Sequence, residues 1–187
     1  MSFAFRFGGY DALTGKLLWQ RGGLGLQTYV TPQFVDGMLI VMSGTTSLSV
    51  RPPAVSSAEP ELIWTQEKGK FRFGSGIATH RHLYYLSENG LAECWDKSTG
   101  RPLWQERLRE PGKKATSWSS LSKAGNRIYA PNQSGDVFVF AAEPEFRVLS
   151  TNSIAEPTNA SLALANGSVV MRTDQALWCF KAQAGKS

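Results

Sequence analysis

The chain has 187 residues, with 20 Lys and Arg against 15 Asp and Glu, a formal net charge of +5, and only 2 Cys. An aromatic content of 11% beside 19% charged residues excludes a disordered chain, and two cysteines exclude a disulfide-stapled miniprotein. No apolar run reaches the length of a transmembrane helix. The segment Met1 to Phe7 has no basic region followed by an apolar one, so no signal peptide is expected from it.

Taken in chain order, the predicted elements are short strands separated by turns. The first segment, 3–20, reads as two strands, Phe3–Tyr10 and Lys16–Gln20, around the turn Asp11-Ala12-Leu13-Thr14-Gly15. Three fuller units follow at about 28–66, 70–109 and 115–151, and an incomplete one at 159–181. Each opens with a turn and an apolar strand: Asp36-Gly37 before Met38, His80-Arg81 before Leu83, Gly125-Asn126 before Ile128, and Asn166-Gly167 before Val169. Asp-Gly and Asn-Gly are strong hairpin signals because type I′ turns need positive φ at both central residues. A second turn series, Ser43-Gly44, Asn89-Gly90 and Ser134-Gly135, precedes a further strand in each full unit.

The units repeat in sequence. Asp11-x-x-Thr14-Gly15-x-x-x-Trp19 matches Asp96-x-x-Thr99-Gly100-x-x-x-Trp104, and Trp64 lies between them. With Val148 as the last anchor, the spacings are 45, 40 and 44 residues. Four antiparallel strands at that period, as in WD-like repeats, predict an all-β fold, a β-propeller of four-stranded blades. The chain reads as a single domain, 1–187, holding about four blades' worth. A fragment of a seven- or eight-bladed propeller is the expected state. Two alternatives are a four-bladed ring, in which Lys16–Gln20 completes the last unit beside Ala176–Phe180, and self-pairing of two half-propellers.

Trp19, Trp64 and Trp104, with Gly15 and Gly100 in the turns, are expected to be structural docks between blades, because burying an indole there is worth about 3 kcal/mol or more. The polar starts of the innermost strands, read as Gly74–Ala78, Trp118–Leu121 and Asn159–Leu162, bring Ser75, Ser119, Ser120, Asn159 and Ser161 to the channel mouth. These residues and Trp118 are candidate contacts for a ligand or partner. The competing reading is that such hydroxyls satisfy backbone groups. Gly74-Ser75-Gly76 reads as relief of crowding rather than as a phosphate loop.

Basic residues are scattered. Lys68, Lys70 and Arg72, then Lys113 and Lys114, form the densest groups and read as a solvated rim, so nucleic acid is not an expected partner. The alternation Lys70-Phe71-Arg72-Phe73 reads as a half-buried strand. His80, His82 and Cys94 lack the spacing of a zinc site, and no nucleophile-elbow motif is present.

The repeated Asp-x-x-Thr-Gly-x-x-x-Trp pattern resembles the pyrroloquinoline-quinone-like (PQQ-like) propellers over essentially the whole chain. The stretches Trp118-Ser119-Ser120, Pro131 to Asp136, Glu156 to Ser161 and Arg172 to Cys179 resemble the C-terminal half of PQQ-like proteins of planctomycete-type bacteria. Those are similar in repeat pattern to the propeller of the outer-membrane-assembly lipoprotein. The resemblance implies a periplasmic or cell-envelope protein that binds protein or peptide partners as a scaffold, without inserting into a membrane. It also raises quinone catalysis. That chemistry needs calcium on oxygen ligands and an Asp base, and the alcohol-oxidising members resemble one another in an adjacent Cys-Cys pair. Here Cys94 and Cys179 fall on equivalent strands two blades apart, and most Asp residues lie in turns. No catalytic, cofactor-binding or metal residue is therefore expected, and PQQ and calcium are not expected cofactors. The alternative is a divergent quinoprotein-like oxidoreductase or hydrolase whose catalytic residues lie in further blades.

Overall fold

The structure is a computed structural model and describes residues 1–55, 58–67, 70–109 and 115–181. Lys68, Lys113 and Lys114 lie outside the described residues. Among the described residues all regular structure is β, and it forms five antiparallel sheets. The first holds β1 (Ser2–Phe3), β2 (Arg6–Tyr10) and β3 (Leu17–Gly22). The second holds β4 (Gln33–Val35), β5 (Met38–Ser43), β6 (Thr46–Arg51) and β7 (Glu61–Gln66). The third holds β8 (Ile77–Ala78), β9 (His82–Leu86), β10 (Leu91–Asp96) and β11 (Pro102–Arg107). The fourth holds β12 (Ser122–Ala124), β13 (Arg127–Pro131), β14 (Asp136–Ala141) and β15 (Val148–Ser153), and the fifth β16 (Ala163–Ala165), β17 (Ser168–Arg172) and β18 (Leu177–Lys181). Strands pair in chain order within each sheet, as hairpin-linked blades require.

Local chemistry sets these hairpins. Asp36 and Gly37 have φ of 48° and 74°, and Asn166 and Gly167 have 49° and 71°, the type I′ geometry expected from their sequences. The Asp-x-x-Thr-Gly stretch turns the third strand of a blade into the fourth. Asp96 Oδ1 accepts hydrogen bonds from the Thr99 amide and hydroxyl, both at 2.8 Å. Asp11 holds Thr14 in the same way. These bonds keep both carboxyls below the ordinary value of 3.8, with the side-chain bond to Thr14 the leading cause for Asp11 and that to Ser98 for Asp96.

The first segment differs from the two-strand expectation. Positive φ at Phe5, 66°, breaks Phe3–Tyr10 into β1 and β2. β3 pairs with β2 and is an edge strand of the first sheet, while β18 is an edge strand of the fifth, so Lys16–Gln20 is not a fourth strand for the last sheet, and the four-bladed closure through it does not form. The innermost strands also start later than the sequence suggested. The ladders begin at Ile77, Ser122 and Ala163, and 74–76, 118–121 and 159–162 are irregular lead-ins to them.

The core lies between the sheets rather than within one. The junction of the second and third sheets buries Ile40, Met42 and Trp64 against Leu83, Tyr85 and Trp95. That of the third and fourth buries Tyr84, Cys94, Ile128 and Phe140. At outer-strand pairs the register slips by a bulge, and the residue beside it faces the next sheet. That residue is Trp19 opposite Gly9, Trp64 opposite Ser49 and Trp104 opposite Cys94.

Candidate functional site

The three tryptophans sit at sheet junctions. Trp64 is 7% exposed, and its Nε1 donates to the Lys97 carbonyl at 2.8 Å across the junction. Its ring lies over Gly100, where a Cβ would come within 2.5 Å of the indole, and φ there is +67°. The glycine is thus needed twice, for the turn and for the ring. Trp104 packs on Phe146 and Phe140, and Trp19 on the cluster of Phe7, Val41, Leu48 and Val50. Gly15 keeps the turn, with φ +70°, but a Cβ there would meet nothing within 4 Å, so it takes no indole. The fourth anchor is corrected. The bulge between Val139 and Phe140 places Ser150, not Val148, at the docking position opposite Val139.

The hydroxyls expected at the channel mouth form a chain of bonds from sheet to sheet. The Thr31 amide donates to Ser75 Oγ at 3.0 Å, the Ser75 amide to Ser120 Oγ at 2.9 Å, and the Ser120 amide to Ser161 Oγ at 2.9 Å. Ser119 is buried, and its Oγ donates to the Ala160 carbonyl at 3.0 Å. Asn159 Oδ1 accepts from Gln133 Nε2 at 2.6 Å. The serines therefore satisfy the backbone where the innermost segments converge, and Asn159 holds a side chain of the preceding sheet. Gly74 fits the same crowding, because a Cβ there would meet the Ser119 carbonyl at 2.0 Å.

Trp118 is different. It is 48% exposed and packs on Phe73 in a tilted pair with ring centroids 4.9 Å apart. Phe73 in turn contacts Phe71 at 5.0 Å and Tyr29 at 5.2 Å. Tyr29 is 54% exposed, and Phe71 and Phe73 are half-buried. Four rings from three inter-blade connections thus form one aromatic platform. Backbone bonds fix the segments that carry it. The Glu88 amide donates to the Phe71 carbonyl at 2.8 Å, and the Ser117 amide to the Glu88 carbonyl at 2.9 Å. Sequence reasoning found Trp118 and missed the other three.

The alternation around Arg72 is real but inverted. Residues 70–76 form no strand. Phe71 and Phe73 join the surface platform, and Arg72 turns inward, 2% exposed, to an ion pair with the equally buried Glu93. Its guanidinium lies 4.9 Å from the Tyr85 ring and 5.1 Å from the Trp95 ring. The other Glu93 oxygen accepts from Gln105 Nε2 at 2.6 Å. Two aromatic faces and a carboxylate supply what the buried cation loses from water.

A quinone and calcium site needs convergent oxygen ligands, and several of the described carboxylates have other partners. Asp11 and Asp96 hold their own turns, and Asp36 Oδ2 meets Lys97 Nζ at 2.6 Å and His80 Nδ1 at 2.8 Å. Glu93 is committed to Arg72 and Gln105, and Glu156 to Thr173 and Trp178. Among the described residues no three His, Cys, Asp or Glu side chains gather as metal ligands. His80 lies in the turn before β9 with Asp36, whereas His82 lies on the strand, so the two do not act as a pair on one face. Cys94 is buried, and burial pushes its thiol up to about 11. Cys179 is exposed, and neither cysteine is in a disulfide.

These sheets and their indole docks define a PQQ-like β-propeller, and known proteins bear on which kind. The family model described as outer membrane protein assembly factor BamB matches residues 6–187, and the chain belongs to that family. Among solved structures it is similar to BamB from Moraxella catarrhalis, with a TM-score of 0.74 at 16% identity, covering 97% of this chain and 53% of that one. The computationally designed Ika8 protein matches with a TM-score of 0.70 at 12% identity over 92% of this chain and 51% of that one. The designed Ika4 protein matches at 0.65 and 13% identity over 90% of this chain and 99% of that one. The chain thus spans about half the length of the first two. None of the curated proteins matches it in sequence. The described residues contain no helix long and apolar enough to cross a membrane.

Proposed function

We propose that this protein is a non-catalytic interaction scaffold of the bacterial cell envelope, and that it docks a protein or peptide partner on the platform of Tyr29, Phe71, Phe73 and Trp118. The observation that carries the reading is that four large rings contact one another at the surface, with Tyr29 and Trp118 about half exposed. Exposed clusters of this kind mark interaction sites, and aromatic anchors supply most interface energy. Membership of a family described by an assembly factor supports both the scaffold role and the compartment. The engagement of the described carboxylates in turns and ion pairs supports a function without PQQ or calcium.

The test is selection of peptides from a displayed random library on the immobilised chain. Selected peptides are expected to bind at least tenfold more weakly to a Phe73→Ser/Trp118→Ala variant of unchanged melting temperature. Peptides that bind the variant equally would overturn the platform as the site. For the competing oxidoreductase reading, the chain is mixed with quinone, calcium, an alcohol and an electron-acceptor dye. Dye reduction would overturn the non-catalytic reading.

A further inference from the structure

The junction between the second and third sheets carries polar groups that no neighbouring side chain or backbone group satisfies. Six buried side-chain atoms find no hydrogen-bond partner among the described residues, and five of them belong to this one junction: Ser47 Oγ, Ser49 Oγ, Arg72 Nε, Tyr85 Oη and Trp95 Nε1. Their placement follows from register. Ser49 stands opposite Ile40 and Trp64, and Ser47 opposite Met42 and Gln66. Residues directly opposite share a face of the sheet. Both serines therefore face the cluster in which Ile40, Met42 and Trp64 meet Tyr85 and Trp95. The Arg72 guanidinium lies against the Tyr85 and Trp95 rings, whose centroids are 5.2 Å apart. None of the five residues is more than 4% exposed. Folded proteins pair nearly all such groups with protein or with ordered water, so five together call for a partner.

A cleft of about 160 Å³ opens on the same junction, lined by Trp95, Glu93, Gln66 and Gln105 together with the exposed Glu67 and Lys70. It meets the unpaired groups at three places. Trp95 belongs to both, Gln66 stands opposite Ser47, and Glu93 stands opposite Tyr85. The chemistry of the five groups selects the occupant. Trp95 Nε1 and Arg72 Nε only donate, so the occupant must accept, whereas the three hydroxyls both donate and accept. A cation would face the Arg72 guanidinium, and an anion would face the Glu93 and Glu67 carboxylates. A small neutral group that donates and accepts fits, and the cleft has room for several water molecules at about 30 Å³ each.

We propose that this junction is an internal water site. Ordered water molecules, entering by the cleft, accept from Trp95 Nε1 and Arg72 Nε and bond the hydroxyls of Tyr85, Ser47 and Ser49, so that the two blades are joined there through water as well as through the Trp64 bond to the Lys97 carbonyl. The site shares no residue with the four rings of the platform, and the inference does not rest on the platform reading.

The test uses the full chain in two experiments. In the nitrogen-15-labelled parent, the Trp95 indole proton is assigned through bonds, and its magnetisation transfer with water is measured in the laboratory and rotating frames. Water held for longer than the tumbling time of the protein gives transfers of opposite sign in the two frames, and that signature is expected at Trp95. The second experiment is urea unfolding of Tyr85→Phe, which removes one hydroxyl and keeps the ring. A hydroxyl bonded to water contributes to stability, whereas a buried one with no partner costs it. The urea midpoint of Tyr85→Phe is therefore expected to fall below that of the parent. No long-lived water at the Trp95 indole would overturn the proposal, as would a Tyr85→Phe midpoint equal to or above the parent's, the result of a dry junction.

Discussion

Removing the charge of Glu93 tests how the aromatic platform is held. In Glu93→Gln the side chain keeps its shape, but the Arg72 guanidinium, 2% exposed, loses its counter-ion and stays charged. Breaking a buried pair from one side costs about 3–5 kcal/mol, because an uncompensated charge is left in the interior. The rings of Tyr85 and Trp95 lie within 5.1 Å of the guanidinium and return about 1–2 kcal/mol of that at most. A net loss of about 1–4 kcal/mol is expected, a large share of the 5–15 kcal/mol that folding usually leaves. Arg72 lies between Phe71 and Phe73, so the platform should loosen along with it. The assay is urea unfolding followed by tryptophan fluorescence, with amide exchange of residues 70–76 as the local readout. Arg72→Met/Glu93→Leu removes both charges and should recover most of the loss, since apolar replacement of a buried pair is often neutral. A Glu93→Gln variant within about 0.5 kcal/mol of the parent, the range of inconsequential surface changes, would refute the reasoning.

Two further outcomes are expected. Trp64→Ala removes a 93%-buried indole (7% exposed) and its bond to the Lys97 carbonyl, and should cost about 3–5 kcal/mol in urea unfolding. The half-buried Trp104, whose Nε1 bond is longer at 3.4 Å, should cost less, and the reverse order would count against the docking scheme. Asp36→Asn should lower the melting temperature near neutral pH, because the carboxylate links its turn to Lys97 and His80 of the next sheet. Lys97 first and His80 second hold the Asp36 carboxyl below its ordinary value of 3.8. A lowered folded pKa gives stability above the unfolded value that is lost as pH falls through the folded one. The gap between Asp36→Asn and the parent should therefore close below about pH 3.8, and a constant gap from pH 7 to pH 2 would contradict it.

The blades were legible because two local signals repeat in sequence. One is the Asp-x-x-Thr-Gly turn, whose carboxylate bonds are made within four residues. The other is the pair of left-handed residues at Asp36-Gly37 and Asn166-Gly167. What failed depended on register. The turn before β15 closes from Ala141 to Arg147, one residue longer than Asp11 to Lys16 and Asp96 to Arg101, and lacks the Asp-x-x-Thr-Gly sequence, so the apolar Val148 misplaced the fourth dock by two residues. Only the ladder shows that the position is Ser150. Residues 70–73 failed differently. Alternation gives two faces but not which one is inside, and an aromatic-in, charge-out assignment is the usual outcome. Here Glu93, Tyr85 and Trp95 reverse it, and those partners lie 13 to 23 residues from Arg72 in sequence.

This reversal and the serine chain together decide where recognition can occur on the described surface. Read as a sequence, Ser75, Ser120 and Ser161 look like a polar ring open to a ligand, and Phe71 and Phe73 belong to a half-buried strand. In the fold each hydroxyl already accepts the amide of the preceding sheet. A ligand that displaced one of these hydroxyls would break a bond between neighbouring blades, at about 0.5–1.5 kcal/mol each. The four rings of the platform carry no such penalty. They contact one another in T-shaped or tilted pairs, and a partner that covers them gains about 25 cal/mol for each Å² of apolar surface removed from water. At that rate a buried area of a few hundred Å² offsets much of the cost of association, whereas a ligand that displaced hydroxyls at the channel mouth would first break inter-blade bonds.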